Sequence, residues 1–329
     1  MSEEISLDGS SSIPHDAAPM PLGTREREAI ELSPTMTNEE VLDAYLHTPT
    51  EKIIPWEECV LPSGGRYYGW PDGVCQVRAM GQTAEKILAT QRLAASGQSL
   101  DYLFRECCRF PADFDPADML VGDRAFLLFY LRGITHGNIY EFQVTCPSET
   151  CEHKNLVQFD LNQLVTTRRE APAHLGPEPF RISLPYLSEL SKRDFYVELR
   201  FLRARDATNI VARRKTKERV ISRSGSNVRT RNAAQPPQQQ QRQALDTMVD
   251  DNLERVIVSV MGVTDQLRIR EFIQKLHARD TATIREWLRE NTPGIDTSVD
   301  VTCSECQSEF AVELPITDSF FRPAKRGRV

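Results

Sequence analysis

Apolar residues first recur at helical spacing after Thr37, where Val41, Tyr45 and Leu46 follow a threonine with a glutamate three places on. Thr37 and Glu40 have the spacing of a capping box, so order is predicted to begin there. From Cys59 to Met80 the pattern shortens to brief alternating stretches broken by Ser63-Gly-Gly65 and Pro71-Asp-Gly73, which predicts a β-hairpin. Three helices should follow, over Thr83 to about Ser96, Ser99 to about Phe110, and about Asp115 to Ile134, with Thr83 and Ser99 as caps and Gly97 as a stop. The third carries Phe126, Leu127, Phe129, Tyr130 and Leu131, dense enough to form the main core of the N-terminal half. Asp123 and Arg132 flank this helix as a candidate buried pair that anchors it. Cys107 and Cys108 read as inert core thiols.

After Gly137 the period changes from 3.6 to 2. Tyr140, Phe142 and Val144 alternate with polar residues, as do Val157, Phe159 and Leu161, and two further β runs appear at Phe180–Pro185 and Phe195–Leu202. From Asp206 the pattern turns helical. It is interrupted from Ser222 to Gln243 by Ser, Gly, Asn, a Pro-Pro pair and a glutamine run, the composition of a flexible loop. Helices are expected again at about Asp250–Met261, Asp265–Leu276 and Asp280–Glu290, each opened by an aspartate placed to cap it, with Asn291-Thr-Pro-Gly294 closing the set. Strand spacing returns at Val299 and Val301 and again at Phe310, Val312 and Leu314.

The chain is therefore read as α+β. A tail spans residues 1–35, and an α+β N-terminal domain with the hairpin and helices spans 36–136. A small β domain starts at 137–205 and is completed by 296–323. Between its halves lies a helical insertion, 206–295, with a flexible loop at 222–246, and residues 324–329 form a basic tail. With 40% hydrophobic and 26% charged residues in 329, core formation is not in doubt. The longest apolar run, Ala125–Leu131, is too short to cross a bilayer, and the N-terminal residues carry neither a basic nor a hydrophobic export pattern, so no membrane or secretory role is expected.

Charge alters the picture in two places. The net charge of −7 disfavours a protein that coats nucleic acid, yet charge is segregated along the chain. Residues 1–31 hold seven acids and two arginines, whereas Arg203–Arg231 holds ten basic residues against Asp206 and Glu218. The acidic tail has too few apolar residues to offset the entropy of ordering and is read as mobile. The basic stretch lacks interleaved aromatics for base stacking, which favours a solvated helix or a contact with an acidic protein surface.

The chemistry lies in the cysteines. Eight thiols spread through a large chain without an export signal favour reduced cysteines and metal binding over disulfides. Val144-Thr-Cys146 and Cys151 precede one alternating strand, and Val301-Thr-Cys303 and Cys306 precede another, so the two passages are an internal repeat of a zinc knuckle. Two thiolates on one tight turn let backbone N–H groups donate to sulfur, and each knuckle supplies half of a tetrahedral site. Cys146, Cys151, Cys303 and Cys306 are thus expected to hold a structural Zn2+ in a discontinuous zinc ribbon, contributing on the order of 10 kcal/mol to folding. The first knuckle has four residues between its thiols rather than two, and His153 is an alternative to Cys151 as ligand; a disulfide or unliganded thiols are the remaining alternatives.

Catalytic patterns are missing: there is no phosphate-cradling glycine loop, no nucleophile elbow and no His-Glu-x-x-His, and the six histidines are scattered. No enzyme and no small-molecule substrate are expected. The order of motifs is informative: Leu61-Pro-Ser-Gly-Gly-Arg-Tyr-Tyr68, Val121-Gly-Asp-Arg-Ala-Phe-Leu-Leu128 with Leu131-Arg132 and Gly137, the first cysteine pair, Leu184-Pro185, and Cys303-Ser-Glu-Cys306 through Phe320-Phe321-Arg-Pro323. In this order, over roughly residues 55–323, the chain resembles the T4-type baseplate hub protein family of contractile-tailed bacteriophages. That resemblance implies a non-enzymatic structural or assembly role in the virion tail baseplate, in the hub or wedge region, with other baseplate proteins as partners and synthesis in the host cytoplasm. The competing reading is a zinc-ribbon nucleic-acid-binding regulator that uses Arg213, Arg214, Lys215, Lys217 and Arg219.

Overall fold

A computed structural model of the chain describes residues 32–70, 73–90, 93, 98–166, 168–206, 253–316 and 318–321. Most of the acidic tail, the basic stretch from 207 onward with its loop, and the basic tail lie outside the described residues. The architecture is α+β, built from helices and small antiparallel sheets.

Helix α1 (Asn38–His47) starts as its sequence demands: the Thr37 hydroxyl accepts from the Glu40 N–H, and the Glu40 carboxylate accepts from the Thr37 N–H at 2.7 Å. After a single turn, α2 (Thr50–Ile53), strands β1 (Trp56–Val60) and β2 (Val74–Arg78) pair antiparallel as the expected hairpin, with Cys59, Cys75 and Val77 on the buried face. Their connection is a tight loop that only glycine permits. Gly65 has φ of +68°, and a Cβ there would stand 2.1 Å from the Trp70 carbonyl oxygen.

Helix α3 (Gln82–Ala89) and helix α4 (Ser99–Cys107) form in the expected order, but α3 ends at Ala89 with Thr90 as its C-cap instead of near Ser96, Gly97 lies outside the described residues, and neither proposed N-terminal cap is one. Gly81 and Gln98 occupy the N-cap positions, which leaves Thr83 and Ser99 inside the helices. Helix α4 stops at Cys107 because Cys108 and Arg109 become a short strand, β3, paired with β2. The third expected helix also begins later. Asp115 caps a 3-10 turn, Pro116–Asp118, and α5 runs from Val121 to His136. The reason is tertiary: the Leu120 N–H donates to the Tyr68 hydroxyl and Leu120 bridges to Arg203, so the backbone there is held extended and the helix starts after it. Within α5, Phe126, Leu127, Phe129 and Leu131 are fully buried, and Gly137 ends it at φ +85°.

Strands β4 (Ile139–Thr145) and β5 (Lys154–Asp160) pair with Tyr140 opposite Phe159 and Phe142 opposite Val157. A short helix, α6 (Asn162–Thr166), follows. Far along the chain, β9 (Ser298–Thr302) and β10 (Glu309–Glu313) form a second ribbon in which Val301 faces Phe310. Both ribbons pack into the core built on α5. The last helical turn, Asp318–Phe321, returns to the same core, where the Phe320 ring lies 5.0 Å from Phe129 and 5.1 Å from Tyr140.

A separate core forms around β6 (Phe180–Ser183), helix α7 (Pro185–Ser191), β7 (Tyr196–Leu199) and β8 (Ile257–Val260), whose strands are ordered β6-β7-β8. Here the expected helix over Asp250–Met261 is corrected. Residues 253–256 make a helical turn, and the β-branched run from Ile257 continues as a strand against Val197 and Leu199. Helices α8 (Gln266–Gln274) and α9 (Ala278–Asn291) follow, and their Ile269 and Ile284 share a core with Leu184, Val197 and Leu199. Asp265 caps α8 as expected, accepting from the Arg268 N–H at 2.9 Å. Asp280 does not cap α9, whose N-cap is His277. Buried instead against α7, its carboxylate accepts from the Tyr186 and Leu187 N–H groups at 2.8 and 3.2 Å and so caps that helix.

Candidate metal centre

Each knuckle is a turn at the end of a ribbon. In the first, the Cys146 N–H donates to the His153 carbonyl across the turn; in the second, Cys303 and Ser308 are joined in the same way, at 2.8 and 2.9 Å respectively. Glu152 and Gln307 take positive φ of 47° and 59°, each just after the second cysteine of its turn. The repeated Val-Thr-Cys passages are therefore repeated in three dimensions.

The two turns meet at their thiols. The sulfurs of Cys146, Cys151, Cys303 and Cys306 all lie within 4.8 Å of one another, with Cys146 Sγ 3.6 Å from Cys306 Sγ and Cys151 Sγ 3.8 Å from Cys303 Sγ. Four sulfurs about a metal at ~2.3 Å would stand about 3.8 Å apart, whereas a disulfide needs about 2.05 Å. Both contacts are close to that edge length and too long for a disulfide, and the four cysteines could hold a metal ion. His153 enters through its backbone and does not belong to the group of converging side-chain donors.

Surrounding donors favour thiolate. The Cys306 N–H, then the Glu305 N–H and the Asn155 amide, hold the Cys303 thiol down at about 6. The Ser308 hydroxyl, 3.0 Å from Cys306 Sγ, lowers that thiol as well. At Cys151 the His153 N–H acts in the same direction, but loss of water and the crowding of three other sulfurs prevail and push it up to about 12. Four thiols this close repel once ionised, and a cation at their centre removes that repulsion.

Two supporting residues were not anticipated from the sequence. Buried Asn155 donates through Nδ2 to Cys303 Sγ at 3.6 Å, while its Oδ1 accepts from the Ser304 N–H at 2.9 Å and hydroxyl at 3.0 Å. It thereby joins the strand after the first knuckle to the turn of the second. Ser308 Oγ touches both Cys146 and Cys306 sulfurs. Asn155 did leave a signal: it is in phase with Val157 and Phe159, so alternation places a polar amide on the inward face, where it must find partners.

Elsewhere the structure accounts for the order of motifs by packing and hydrogen bonding. Asp123 and Arg132 are both buried but do not pair, because they stand at opposite ends of α5, nine residues and about 13 Å apart. Asp123 accepts from the Ser63 N–H at 2.9 Å and the Tyr68 hydroxyl at 2.6 Å, while Arg132 donates to the Gly137 carbonyl at 2.7 Å. Of the basic stretch, Arg203 pairs with Glu178 at 2.6 Å and Arg205 with Asp118 at 2.5 Å. Arg213, Arg214, Lys215, Lys217 and Arg219 lie outside the described residues. No helix among the described residues is long and apolar enough to cross a membrane.

A comparison with curated proteins and one with solved structures each found no match. A family model described as T4 bacteriophage base plate protein matches residues 56–322, a span that opens at β1 and closes just after the last helical turn. It takes in the Leu61–Tyr68 loop, α5, both knuckles and Phe320-Phe321. On this match over most of its length, the chain belongs to the T4 bacteriophage base plate protein family.

Proposed function

We propose that the chain is a non-enzymatic component of a contractile phage tail baseplate, in the hub or wedge region, whose β domain is closed by a structural zinc ion on Cys146, Cys151, Cys303 and Cys306. The observation that carries the reading is the convergence of four sulfurs from two knuckles 151 residues apart in sequence, within a chain of this family. Zinc suits the set: thiolates are its preferred structural ligands, and four of them leave no position for substrate or a reactive water. The ion ties the β9–β10 ribbon to the β4–β5 ribbon and works as a clasp. Its charge offsets that of four thiolates, and Asn155, Ser308 and the knuckle N–H groups share the remainder. Other baseplate proteins are the partners, and residues 1–31 and 207–252 lie outside the described structure but carry the segregated charge from which such contacts are made.

Elemental analysis of chain purified without added metal tests the clasp, with about one zinc per chain expected; less than half an equivalent with all eight thiols freely titratable sinks it. Co-assembly with the other tail proteins of the same phage tests the setting. Recovery in finished particles marks a permanent subunit, and presence only in assembly intermediates marks an assembly factor. Nucleic-acid affinity that falls steeply with salt would instead support the regulator reading.

A further inference from the structure

The two short sulfur contacts, Cys146 with Cys306 at 3.6 Å and Cys151 with Cys303 at 3.8 Å, both run between knuckles rather than within one. Several contacts that set this juxtaposition contain no metal. Asn155 bonds to Ser304 across the gap, each turn is closed by its own backbone bond, and each turn is the end of a paired ribbon rooted in the core. Cys306 is exposed, Cys151 is half-exposed, and Cys146 and Cys303 are buried behind them. The site thus presents one exposed and one half-exposed cysteine to a reagent in solution, each in contact with a buried cysteine of the opposite knuckle.

We propose that these four cysteines are a site of oxidative modification in which a two-electron oxidant, a hydroperoxide, converts the metal clasp into two disulfides, Cys146–Cys306 and Cys151–Cys303. The inference rests on the clasp reading of the same residues. The Cys306 thiolate attacks the terminal peroxide oxygen, the O–O bond breaks, and hydroxide leaves from hydrogen peroxide, or alkoxide from an organic hydroperoxide, to give a sulfenic acid. The Cys146 sulfur then attacks the Cys306 sulfur, the S–O bond breaks, and the hydroxyl leaves as water once protonated. A second peroxide does the same for Cys151 and Cys303. Four thiolate ligands are consumed, two disulfides form, and the metal departs as the hydrated ion. Because both new bonds cross between knuckles, residues 296–323 stay tied to the β domain. A particle that has left the reducing interior of its host keeps the closure that the metal provided inside.

The test is disulfide mapping by non-reducing digestion and mass spectrometry of the full chain, after hydrogen peroxide treatment with and without a chelator. The expected result is the Cys146–Cys306 and Cys151–Cys303 peptides, release of one metal ion per chain, and Cys59, Cys75, Cys107 and Cys108 still reduced. Linkage within a knuckle, Cys146–Cys151 or Cys303–Cys306, or oxidation to sulfonic acid without linkage, overturns the proposal. Cys306→Ser should retain only the Cys151–Cys303 link, and any link to Cys146 in that variant counts against it. Metal content measured before oxidation separates the two ideas: a metal-free chain that still forms both crossing links refutes the zinc reading and upholds the pairing.

Discussion

The Tyr68 hydroxyl donates to Asp123 at 2.6 Å and accepts from the Leu120 N–H, so one phenol joins the glycine loop after β1 to the start of α5. Asp123 completes the joint by accepting from the Ser63 N–H. Two motifs sixty residues apart are thus one structural unit, and the buried carboxylate is its centre.

Asp123→Asn keeps the shape and the Ser63 contact but leaves the Tyr68 proton without an acceptor, which should destabilise the chain by about 1–3 kcal/mol. Burial raises the Asp123 carboxyl above the ordinary carboxylate range, against the Ser63 and Tyr68 donors that pull it down. A carboxyl raised on folding contributes stability that is fully present below its unfolded pKa, about 3.9, and is lost as pH rises through the folded value. Asparagine does not titrate. The stability gap between wild type and variant, from urea unfolding at a series of pH values, should be widest in acid and narrow as pH rises; a gap that widens would show the opposite shift.

Gly122→Ala reverses a familiar sign. In an unobstructed helix the change stabilises by about 1 kcal/mol. At this position, in the first turn of α5, a Cβ would stand 1.9 Å from the Pro293 carbonyl oxygen and 2.9 Å from Gly294 Cα. The backbone of the Asn291–Gly294 turn must move, so a loss of about 1–3 kcal/mol is expected, read as a lower midpoint in thermal or urea unfolding. An unchanged midpoint would mean that this turn does not pack on α5 in solution.

Asp280→Ala should destabilise through a helix that Asp280 does not belong to. It strips the acceptor from the Tyr186 and Leu187 N–H groups at the start of α7, which is worth about 2 kcal/mol. Asp265→Ala, which removes an exposed cap from its own helix, should cost about 1 kcal/mol or less. The order of the two midpoints decides it, and equal losses would show that Asp280 acts as an ordinary local residue.

Asp265 and Asp280 also mark how far the sequence could be read. Both open a helical pattern, and capping is a local event, so Thr37 with Glu40 and Asp265 with Arg268 were legible from spacing alone. Asp280 was not, because its burial is decided by α7, some ninety residues earlier. The same limit explains Ile257–Val260: a short apolar run fits helix or strand, and only β7 beside it makes it a strand. The four cysteines escaped this limit because the two knuckles repeat one local pattern, which identifies partners across 151 residues without any knowledge of the fold between them.

On the proposed zinc clasp, removing the metal under reducing conditions should loosen one part of the chain and spare another. The ribbons β4–β5 and β9–β10 meet at the knuckles, whereas the sheet β6-β7-β8 with α8 and α9 has its own core. Hydrogen exchange after chelation should speed up in residues 139–160 and 298–313 and change little in 180–199 and 257–291. Uniform loss of protection would mean that the clasp supports the whole molecule as one cooperative unit.

Asn155→Ala separates the metal's grip from the fold around it. The amide reaches one sulfur of the proposed site and the turn of the opposite knuckle, yet it is not among the four candidate ligands, so its loss leaves all four cysteines in place. Residues in this supporting position typically change metal affinity about 10- to 100-fold, because they orient the ligand and relieve its charge. The metal-free chain should lose only about 1 kcal/mol, since Ser304 is exposed and its N–H can turn to water. Competition against a chromophoric chelator should therefore show weaker zinc binding, with a nearly unchanged unfolding midpoint for the metal-free forms. Equal affinity in variant and wild type would show that the two knuckles find each other through sulfur and metal alone, and that the Asn155 bridge to Ser304 is a consequence of the closed clasp rather than one of its causes.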